Sequence, residues 1–310
     1  MPEDLSPAAL RGSEGGRSLA GCAMDEIADL LAKPLAPGLY LVATPIGNLA
    51  DIKLRALSVL SRADVVYCED TRHSAKLLQH YGIAAKTRPF HEHNEEREIE
   101  RAIRDLEGGK RIAMISDAGT PLLSDPGFKL VRAAATAGIP VISIPGPSAP
   151  LTALTASGLP TDSFFFAGFL PPKQAARRAR LAELSQIPGS LVIFEAPHRV
   201  AETLADMAGV LGERPAAIAR ELTKLHEDIA RGSLRTLAEA TFGETLKGEI
   251  VLVVGPGQAE PVSDETISAR LAEALEGMSL KDAAKALAEE LGVPKARIYG
   301  LGIKAKGRSW

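Results

Sequence analysis

The sequence predicts an α/β protein with two α/β domains and a small helical C-terminal segment. Short apolar runs alternate with longer amphipathic segments from Gly38 to about Gly257, which is typical of strands that alternate with helices. The Pro-rich segment 145–150 interrupts this alternation once, near its middle. Beyond Gly257 the apolar runs stop and only helical periodicity continues. We therefore expect domains at 38–149 and 150–259, and a helical segment at 260–310.

The composition excludes several classes of protein. The 310 residues are 45% hydrophobic and 24% charged, with a net charge of −3, so any contact with nucleic acid must use local basic patches. Cys22 and Cys68 are too few for a disulfide framework or a zinc site. No apolar run approaches the roughly 20 residues of a membrane span, and the N-terminus lacks the apolar core of a signal peptide. We expect a soluble, cytoplasmic protein without membrane contact.

Residues 1–37 are predicted to form a mostly disordered tail, because they mix Gly, Ser, Pro, Ala and charges. One weakly amphipathic piece lies within this tail, from Asp25 to Leu31.

The first domain is predicted to contain a parallel sheet covered by helices on both faces. Its predicted strands are Leu39–Ala43, Val65–Cys68, Thr87–Phe90, Arg111–Ser116 and Val141–Ile144. Its predicted helices are Lys53–Ser61, Thr71–Tyr81, Glu95–Glu107 and Pro126–Ala137. Asp125 is expected to cap the last of these, with Pro126 at the first helical position.

The second domain repeats the alternation after a connecting helix near 151–157. Its predicted strands are Phe164–Ala167, Leu191–Phe194, Ala216–Ala219 and Ile250–Val254, and its predicted helices are Gln174–Ser185, Val200–Leu211 and Leu234–Phe242. Two such domains leave a cleft between them, which is the usual place for a ligand. The last segment contains helix-turn-helix spacing over Ser279–Tyr299, with Gly292 at the turn.

Pro- and Gly-containing loops follow strands of the first domain at Thr44–Leu49, Ser116–Pro121 and Pro145–Ala149. Carboxyl ends of parallel strands meet at one edge of a sheet, so these loops should converge. A single loop of this kind is usually just a turn, but three at one edge favour a ligand site. Neither G-x-G-x-x-G nor G-x-x-x-x-G-K-[ST] occurs in the chain, which counts against the commonest nucleotide-binding loops.

These loops belong to a longer set of motifs in register. The motifs are Thr44–Asp51, Glu69–His73, His91–Glu95, Ser116–Pro121, Pro145–Pro147, Gly168–Pro171 and Arg220–Lys224. Together they resemble the tetrapyrrole methylase-like superfamily and, within it, the bacterial 16S ribosomal RNA (cytidine-2′-O)-methyltransferases. The resemblance covers roughly Gly38 to Gly257. It implies two α/β/α domains with a ligand cleft between them, S-adenosyl-L-methionine as methyl donor, 16S rRNA within the small ribosomal subunit as partner, and a homodimer.

The resemblance and the loop positions together predict the residues that hold the donor. They are Pro45, Gly47, Ser116, Asp117, Ala118, Gly119, Thr120, Pro145, Gly146, Ser148, Ala149, Phe194, Leu222, Gly248 and Glu249. Methyl transfer to a ribose hydroxyl needs in-line approach and an acceptor for the hydroxyl proton. Asp70 and Glu195 are the candidate bases. Asp70 has an alternative role, since acids at a helix start are favoured by the helix dipole.

Cations near the predicted cleft are the candidates for RNA contact. They are Arg72, Lys173, Arg177, Arg178, Arg180, Arg199 and Lys224. The run from Lys173 to Arg180 could instead be a solvated helix face, Arg199 could pair at a helix start, and Arg220 with Glu221 could form a buried ion pair. The C-terminal cations offer either a second contact with RNA or a basic packing module, and they are Lys295, Arg297, Lys304, Lys306 and Arg308. The segment His91–Glu96 does not match H-E-x-x-H, so no metal site is predicted.

Competing functions remain open from the residues alone. A dinucleotide-dependent oxidoreductase is favoured by Glu69 and Asp70, about 20 residues beyond the first loop, but the glycine triplet is missing. Methylation of a tetrapyrrole ring carbon would keep the donor and change the acceptor. The third alternative is a non-catalytic RNA-binding protein.

Overall fold

The computed structural model describes residues 18–244, 246–257 and 263–306. The described residues form two compact units, one that ends at Pro256 and one that begins at Gly257. Within these ranges no helix has the length and apolarity needed to cross a membrane. The domain boundary predicted after residue 259 falls among residues 258–262, outside the described residues.

The first sheet has the strand order β3-β2-β4-β1-β5, and every pairing among its described strands is parallel. Its strands are β1 (Gly38–Val42), β2 (Val65–Cys68), β3 (Thr87–Pro89), β4 (Arg111–Met114) and β5 (Val141–Ile144). The helices around it are α2 (Leu54–Leu60), α3 (Thr71–His80), α4 (Glu95–Glu107) and α5 (Phe128–Thr136). Leu39 packs in the core on one face of the sheet, and the next residue, Tyr40, packs in the core on the other. Because both faces are buried, the strands read as continuous apolar runs, and the predicted covered parallel sheet is confirmed.

The helix α5 begins later than predicted. Its N-cap is Gly127, with φ 123°, so the expectation that Asp125 caps this helix is wrong. A Cβ at Gly127 would lie 2.7 Å from Sδ of Met114, so the chain packs closely on β4 before it can enter the helix. Asp125 therefore lies in the loop after β4, two residues before this cap.

Part of the predicted disordered tail is helical. The helix α1 (Leu19–Ala32) starts with the hydroxyl of Ser18, which accepts a hydrogen bond from the backbone N–H of Gly21. Its C-terminal end is fixed to α2 by the Ser58 hydroxyl, which donates to the carbonyl of Leu30 at 3.3 Å. Composition alone did not reveal these contacts. Residues 1–17 of the predicted tail lie outside the described residues.

The second sheet has the order β6-β7-β10-β8-β9. Its strands are β6 (Phe164–Phe169), β7 (Ser190–Glu195), β8 (Pro215–Arg220), β9 (Asp228–Ser233) and β10 (Ile250–Val254). Among the described strands, only β6 and β7 pair in parallel, while β10 runs antiparallel to both of its neighbours. The sequence analysis missed β9, because this edge strand has no apolar run and is only partly buried.

Helices lie on both faces of this second sheet, as the fold class requires. One face is covered by α7 (Gln174–Leu184), α8 (Val200–Leu211) and α9 (Leu234–Thr241), and the other by α6 (Ala149–Ser157). Ile46, from the loop after β1, packs in the same cluster as Leu154 and Val251. The first loop of the first sheet is therefore anchored in the core of the second.

The second unit consists, in its described residues, of α10 (Asp264–Leu275), α11 (Leu280–Leu291) and α12 (Lys295–Lys306). Gly292 ends α11 in the left-handed conformation, with φ 63°, as expected for the predicted turn. This unit has its own apolar core, which includes Leu271, Leu287 and Ile298. Of the basic C-terminal residues, Arg308 lies outside the described residues.

Candidate active site

A cleft of about 450 Å³ lies between the two sheets of the first unit. Its lining includes many of the predicted donor-binding residues, which are Asp117, Ala118, Gly119, Thr120, Ser148, Ala149, Phe194, Leu222, Gly248 and Glu249. Pro45, Gly47 and Ser116 are absent from this lining. Pro145 and Gly146 line a separate open cavity beside α1 and α2. The loops after β4 and β5 therefore face the second sheet, while the start of the β5 loop turns away.

Hydrogen bonds hold the loops of the first sheet in register with one another. Thr44 and Gly119 exchange backbone hydrogen bonds of 2.9 and 3.0 Å, which joins the loop after β1 to the loop after β4. The Ser116 hydroxyl donates to the carbonyl of Gly119 at 3.2 Å, and the Thr120 hydroxyl donates to the carbonyl of Pro147 at 3.1 Å. Ser116 thus fixes the conformation of the loop after β4, and Thr120 connects this loop to the loop after β5.

Gly47 lies where the loop after β1 meets the loop after β8. A Cβ at Gly47 would lie 2.5 Å from Cγ of Lys224, 2.9 Å from Oγ1 of Thr223 and 3.0 Å from the carbonyl oxygen of Leu222. No larger residue fits there without moving that loop. Gly47 therefore sets the distance between the two sheets at the cleft.

The loop after β8 is strained and held by a lysine. Glu221 and Thr223 have φ values of 51° and 65°, which are unusual for residues other than glycine. The Glu221 carboxylate accepts from the backbone N–H of Glu249 at 2.9 Å and from Nζ of Lys224 at 2.8 Å. Lys224 also pairs with Glu249 at 3.3 Å, and its hydrogen bond is the main cause that holds the pKa of Glu221 below its ordinary value. Lys224, which we predicted to contact RNA, therefore braces the wall of the cleft.

The suggested Arg220–Glu221 ion pair is wrong. Arg220 pairs with Asp228 of β9 at 3.8 Å, whereas Glu221 pairs with Lys224.

Glu195 lines the cleft, but its carboxylate is saturated with donors. Its side chain is fully buried, accepts from the Thr203 hydroxyl at 2.6 Å and from the Ala196 N–H at 2.8 Å, and pairs with Arg199 at 3.2 Å. Arg199 also donates to the carbonyl of Leu170 at 2.8 Å. Because these donors already occupy the carboxylate, Glu195 has little capacity to accept a further hydrogen bond, and Arg199 faces inward rather than towards RNA.

Asp70 does not line the cleft. It caps α3 by accepting from the backbone N–H of Arg72 at 2.8 Å, and it forms an ion pair with the Arg72 side chain at 2.9 Å. The hydrogen bonds from Arg72 lower the pKa of Asp70 to about 2. A carboxylate with so low a pKa is a weak base. The contacts therefore favour the alternative role of Asp70, which is to stabilise the start of α3.

The basic segment of α7 divides into buried and exposed side chains. Arg177 has 1% of its side chain exposed, and its Nε donates to Asp206 at 2.7 Å, so it is not available to a phosphate. The burial of Arg177 therefore contradicts the prediction that it contacts RNA. Arg178 is about half exposed, Lys173 is exposed, and Arg180 pairs with Glu183 on the surface.

Asp125 is a cleft residue that the sequence analysis assigned to another role. It lines both the main cleft and a small neighbouring cavity. Burial raises the pKa of Asp125 to about 6, and the charges of Glu69 and Asp117 add to this rise. The available signal was its position in a Ser-Asp-Pro-Gly segment just beyond the Ser116–Pro121 motif. In the described part of the chain, no three His, Cys, Asp or Glu side chains are placed to hold a metal ion.

The family profile of the tetrapyrrole (corrin/porphyrin) methylases matches residues 38–238, which include the first sheet and strands β6 to β9 of the second. The chain belongs to the tetrapyrrole methylase family. Residues 260–306 of this methylase match the profile of the RsmI C-terminal HTH domain. The family resemblance inferred from the motifs is therefore confirmed.

Curated relatives of this methylase match along most of its length. It is 50% identical to the ribosomal RNA small subunit methyltransferase I of Mesorhizobium japonicum, over 91% of this chain and 96% of the relative. It is 48% identical to the protein of the same name from Pseudomonas aeruginosa, over 87% of this chain and 98% of the relative. The methylase therefore belongs to the ribosomal RNA small subunit methyltransferase I family.

A solved structure shares the fold. The uroporphyrin-III-C-methyltransferase from Thermus thermophilus has a TM-score of 0.50 and 25% identity to this methylase, and the match covers 71% of this chain and 94% of that chain. The predicted fold class, two α/β domains around a cleft with a helical C-terminal segment, is confirmed.

Proposed function

We propose that this protein transfers a methyl group from S-adenosyl-L-methionine to the ribose 2′-hydroxyl of a cytidine in 16S ribosomal RNA of the small subunit. The observation that carries the proposal is the cleft between the two sheets. It is formed by the loops that contain the methylase motifs, in a chain that is 50% identical to a protein named ribosomal RNA small subunit methyltransferase I. The predicted homodimer and the predicted cytoplasmic location remain predictions.

The residues of the cleft fit the donor. Leu222, Val251 and Phe194 give one wall an apolar surface suited to an adenine ring, and Gly248 exposes its backbone beside them. The opposite wall carries the carboxylate of Asp117, which suits a positively charged amine. When bound, the donor supplies a methyl group on a positively charged sulfur. The protein holds the reactants in line and keeps water out of an apolar cleft, and both effects lower the barrier to transfer.

Two observations favour RNA over a tetrapyrrole as the acceptor. The C-terminal unit matches the HTH profile found with the RsmI proteins. The surface of α7 presents Lys173, Arg178 and Arg180, which suit a phosphate backbone. The dinucleotide-dependent oxidoreductase has no comparable support, because no loop of the cleft has the glycine triplet.

The proposal is tested by incubating the protein with methyl-labelled S-adenosyl-L-methionine and small ribosomal subunits from a strain that lacks this gene. Uroporphyrinogen III serves as the competing acceptor in a parallel reaction. We expect label in 16S RNA and none in the tetrapyrrole. Label that enters only the tetrapyrrole, or neither acceptor, contradicts the proposal.

The exposed cations at the start and on the surface of α7 are expected to contribute to RNA binding. Replacing Lys173, Arg178 and Arg180 together with Ala should weaken RNA binding and lower the slope of log affinity against log salt by about two to three, since each phosphate contact contributes about 0.7 to 0.9. Filter binding at several salt concentrations measures this slope. The matched control replaces the exposed cations Lys76, Lys86 and Arg101 of the first domain with Ala. An equal change of slope in both variants would assign the effect to net charge rather than to a contact surface.

A further inference from the structure

The proposed reaction needs a group that accepts a proton, because a ribose hydroxyl is a weak acid and its oxygen becomes a better nucleophile as the proton leaves. Among the described residues, the carboxyl side chains that line the cleft are Asp117, Asp125, Glu195 and Glu249. The base should be the one that faces the cleft without a cation that neutralises it.

Among the described residues, a cation or a backbone N–H engages each of these carboxylates except Asp125, which has only a hydrogen bond from the Ser116 hydroxyl. Glu195 is paired with Arg199 and bonded by the Thr203 hydroxyl. Glu249 is paired with Lys224 at 3.3 Å and is 72% exposed. Asp117 accepts the backbone N–H of Asp70 at 3.2 Å, which holds it towards the end of β2.

Asp125 is held in place by an unusual loop. Leu122 and Ser124 on one side of it have φ values of 73° and 69°, and Gly127 on the other side has φ 123°. Left-handed conformations at residues other than glycine cost free energy and persist only where the surrounding structure fixes them. The loop therefore holds the Asp125 carboxyl at the cleft.

The surroundings of Asp125 contain no compensating charge. The groups that face it are the carboxylates of Glu69, from the end of β2, and Asp117, from the end of β4, together with the Ser116 hydroxyl. His91 and Glu92 in turn face Glu69. In the described ranges, no lysine or arginine takes part in setting the charge state of Asp125, and burial with two neighbouring acids keeps its pKa near the operating pH of a base.

A second cavity lies behind Asp125. It measures about 10 Å³, is lined by Asp125, Glu69, Ser116 and Cys68 among others, and has the size of about one water molecule. Asp125 is thus placed between the cleft and a small, mostly apolar cavity that Glu69 also lines.

We propose that Asp125 is the catalytic residue that removes the proton from the ribose 2′-hydroxyl, an inference that rests on the proposed function. The hydroxyl oxygen forms a bond to the methyl carbon as the sulfur–methyl bond breaks, and the electron pair of that bond stays on sulfur. The proton goes to the Asp125 carboxylate and leaves to solvent after the products depart. Asp117 and Glu249 hold the donor.

The kinetic test compares the wild type with Asp125→Asn, Asp125→Glu and Asp117→Asn in single-turnover methylation of small ribosomal subunits at saturating donor. Asp125→Asn should lower the rate by about 10²- to 10⁴-fold, the range for loss of a general base. Asp125→Glu keeps a carboxylate and should recover part of that loss. In contrast, Asp117→Asn should mainly weaken donor binding.

The pH profile adds a readout that a structural role would not give. Asp125 acts only when ionised, so the wild-type rate should rise tenfold per pH unit below about 6 and level off above that value. This rising part of the pH–rate profile should shift along the pH axis in Asp125→Glu and disappear in Asp125→Asn. S-adenosylhomocysteine affinity, measured by calorimetry, should stay within about threefold of the wild type in Asp125→Asn.

Carbon-13 NMR of protein labelled at the aspartate carboxyl carbons tests the inference without any turnover. The signal that disappears in Asp125→Asn should titrate near pH 6 in the wild type, and a midpoint near 3.8 would overturn the assignment. If Asp125→Asn does not fold, the signal is assigned by its loss in Asp125→Glu, and the wild-type titration and the shifted pH profile of Asp125→Glu decide the question. If the wild type is active and Asp125→Asn is fully active as well, Asp125 is not the base, and the proposed function still stands. A wild type that methylates no RNA overturns both.

Discussion

Arg177→Ala is expected to destabilise the first unit by about 3–5 kcal/mol, because it removes the nearer and buried cation from Asp206 and leaves only Arg178, at 3.7 Å. The Arg177 side chain is 1% exposed and that of Asp206 is 4% exposed, with 2.7 Å between Nε and Oδ2. Gln174 also donates to Asp206, at 3.2 Å, so the carboxylate is the centre of a network between α7 and α8. Urea denaturation followed by circular dichroism gives the free energy of unfolding.

Arg180→Ala is the matched control, since it removes an exposed arginine from the same helix and should change stability by less than about 0.5 kcal/mol. The double variant Arg177→Met with Asp206→Leu removes the buried charges together and should recover most of the lost stability. Equal stability of Arg177→Ala and Arg180→Ala would show that Arg177 is solvated. It would then return Arg177 to the candidates for RNA contact.

Gly248→Ala is expected to weaken donor binding by at least about tenfold while the fold survives. Gly248 has φ 89°, where an L-residue is strained, and its added Cβ would lie 2.4 Å from Oε1 of Glu221. Glu221 must move, and this releases its hydrogen bonds to the Glu249 N–H and to Lys224. Because these bonds brace one wall of the cleft, the donor loses a preformed site. Calorimetric titration with S-adenosylhomocysteine measures the change.

Gly209→Ala serves as the control for this variant. Gly209 lies inside α8, where an added Cβ would meet only Nη2 of Arg178, at 3.8 Å. Alanine is favoured over glycine in a helix by about 1 kcal/mol, so this variant should bind the donor normally and unfold no more easily than the wild type. Unchanged donor affinity in Gly248→Ala would show that the wall formed by Glu221 and Lys224 is not part of the donor site.

The sequence predicted the first sheet better than the second. Strands buried on both faces of a sheet appear as continuous apolar runs, and the fully buried β2 and β10 have the predicted bounds, as does β5. The edge strand β9 buries little and has no such run. The antiparallel direction of β10 was not predicted either, because the apolar pattern of a strand is the same in both directions.

The sequence predicted which loops line the candidate site, but not which side chains pair with one another there. The loops at Asp117–Thr120 and Ser148–Ala149 line the cleft as expected. The pairing of Arg177 with Asp206 joins residues 29 positions apart, and a run of cations gives no sign of it. Asp125 was missed because Asp before Pro favours a helix cap, whereas the close packing of Gly127 delays the helix.

The most direct test of the proposed function is the chemical position of the transferred methyl group. The RNA of small subunits methylated by the wild-type protein is digested to nucleosides, and the products are separated and identified by mass spectrometry. We expect 2′-O-methylcytidine, with the added mass on the ribose fragment, and its loss in Asp125→Asn. A methyl group found on the cytosine base, or on any other nucleoside, would contradict it.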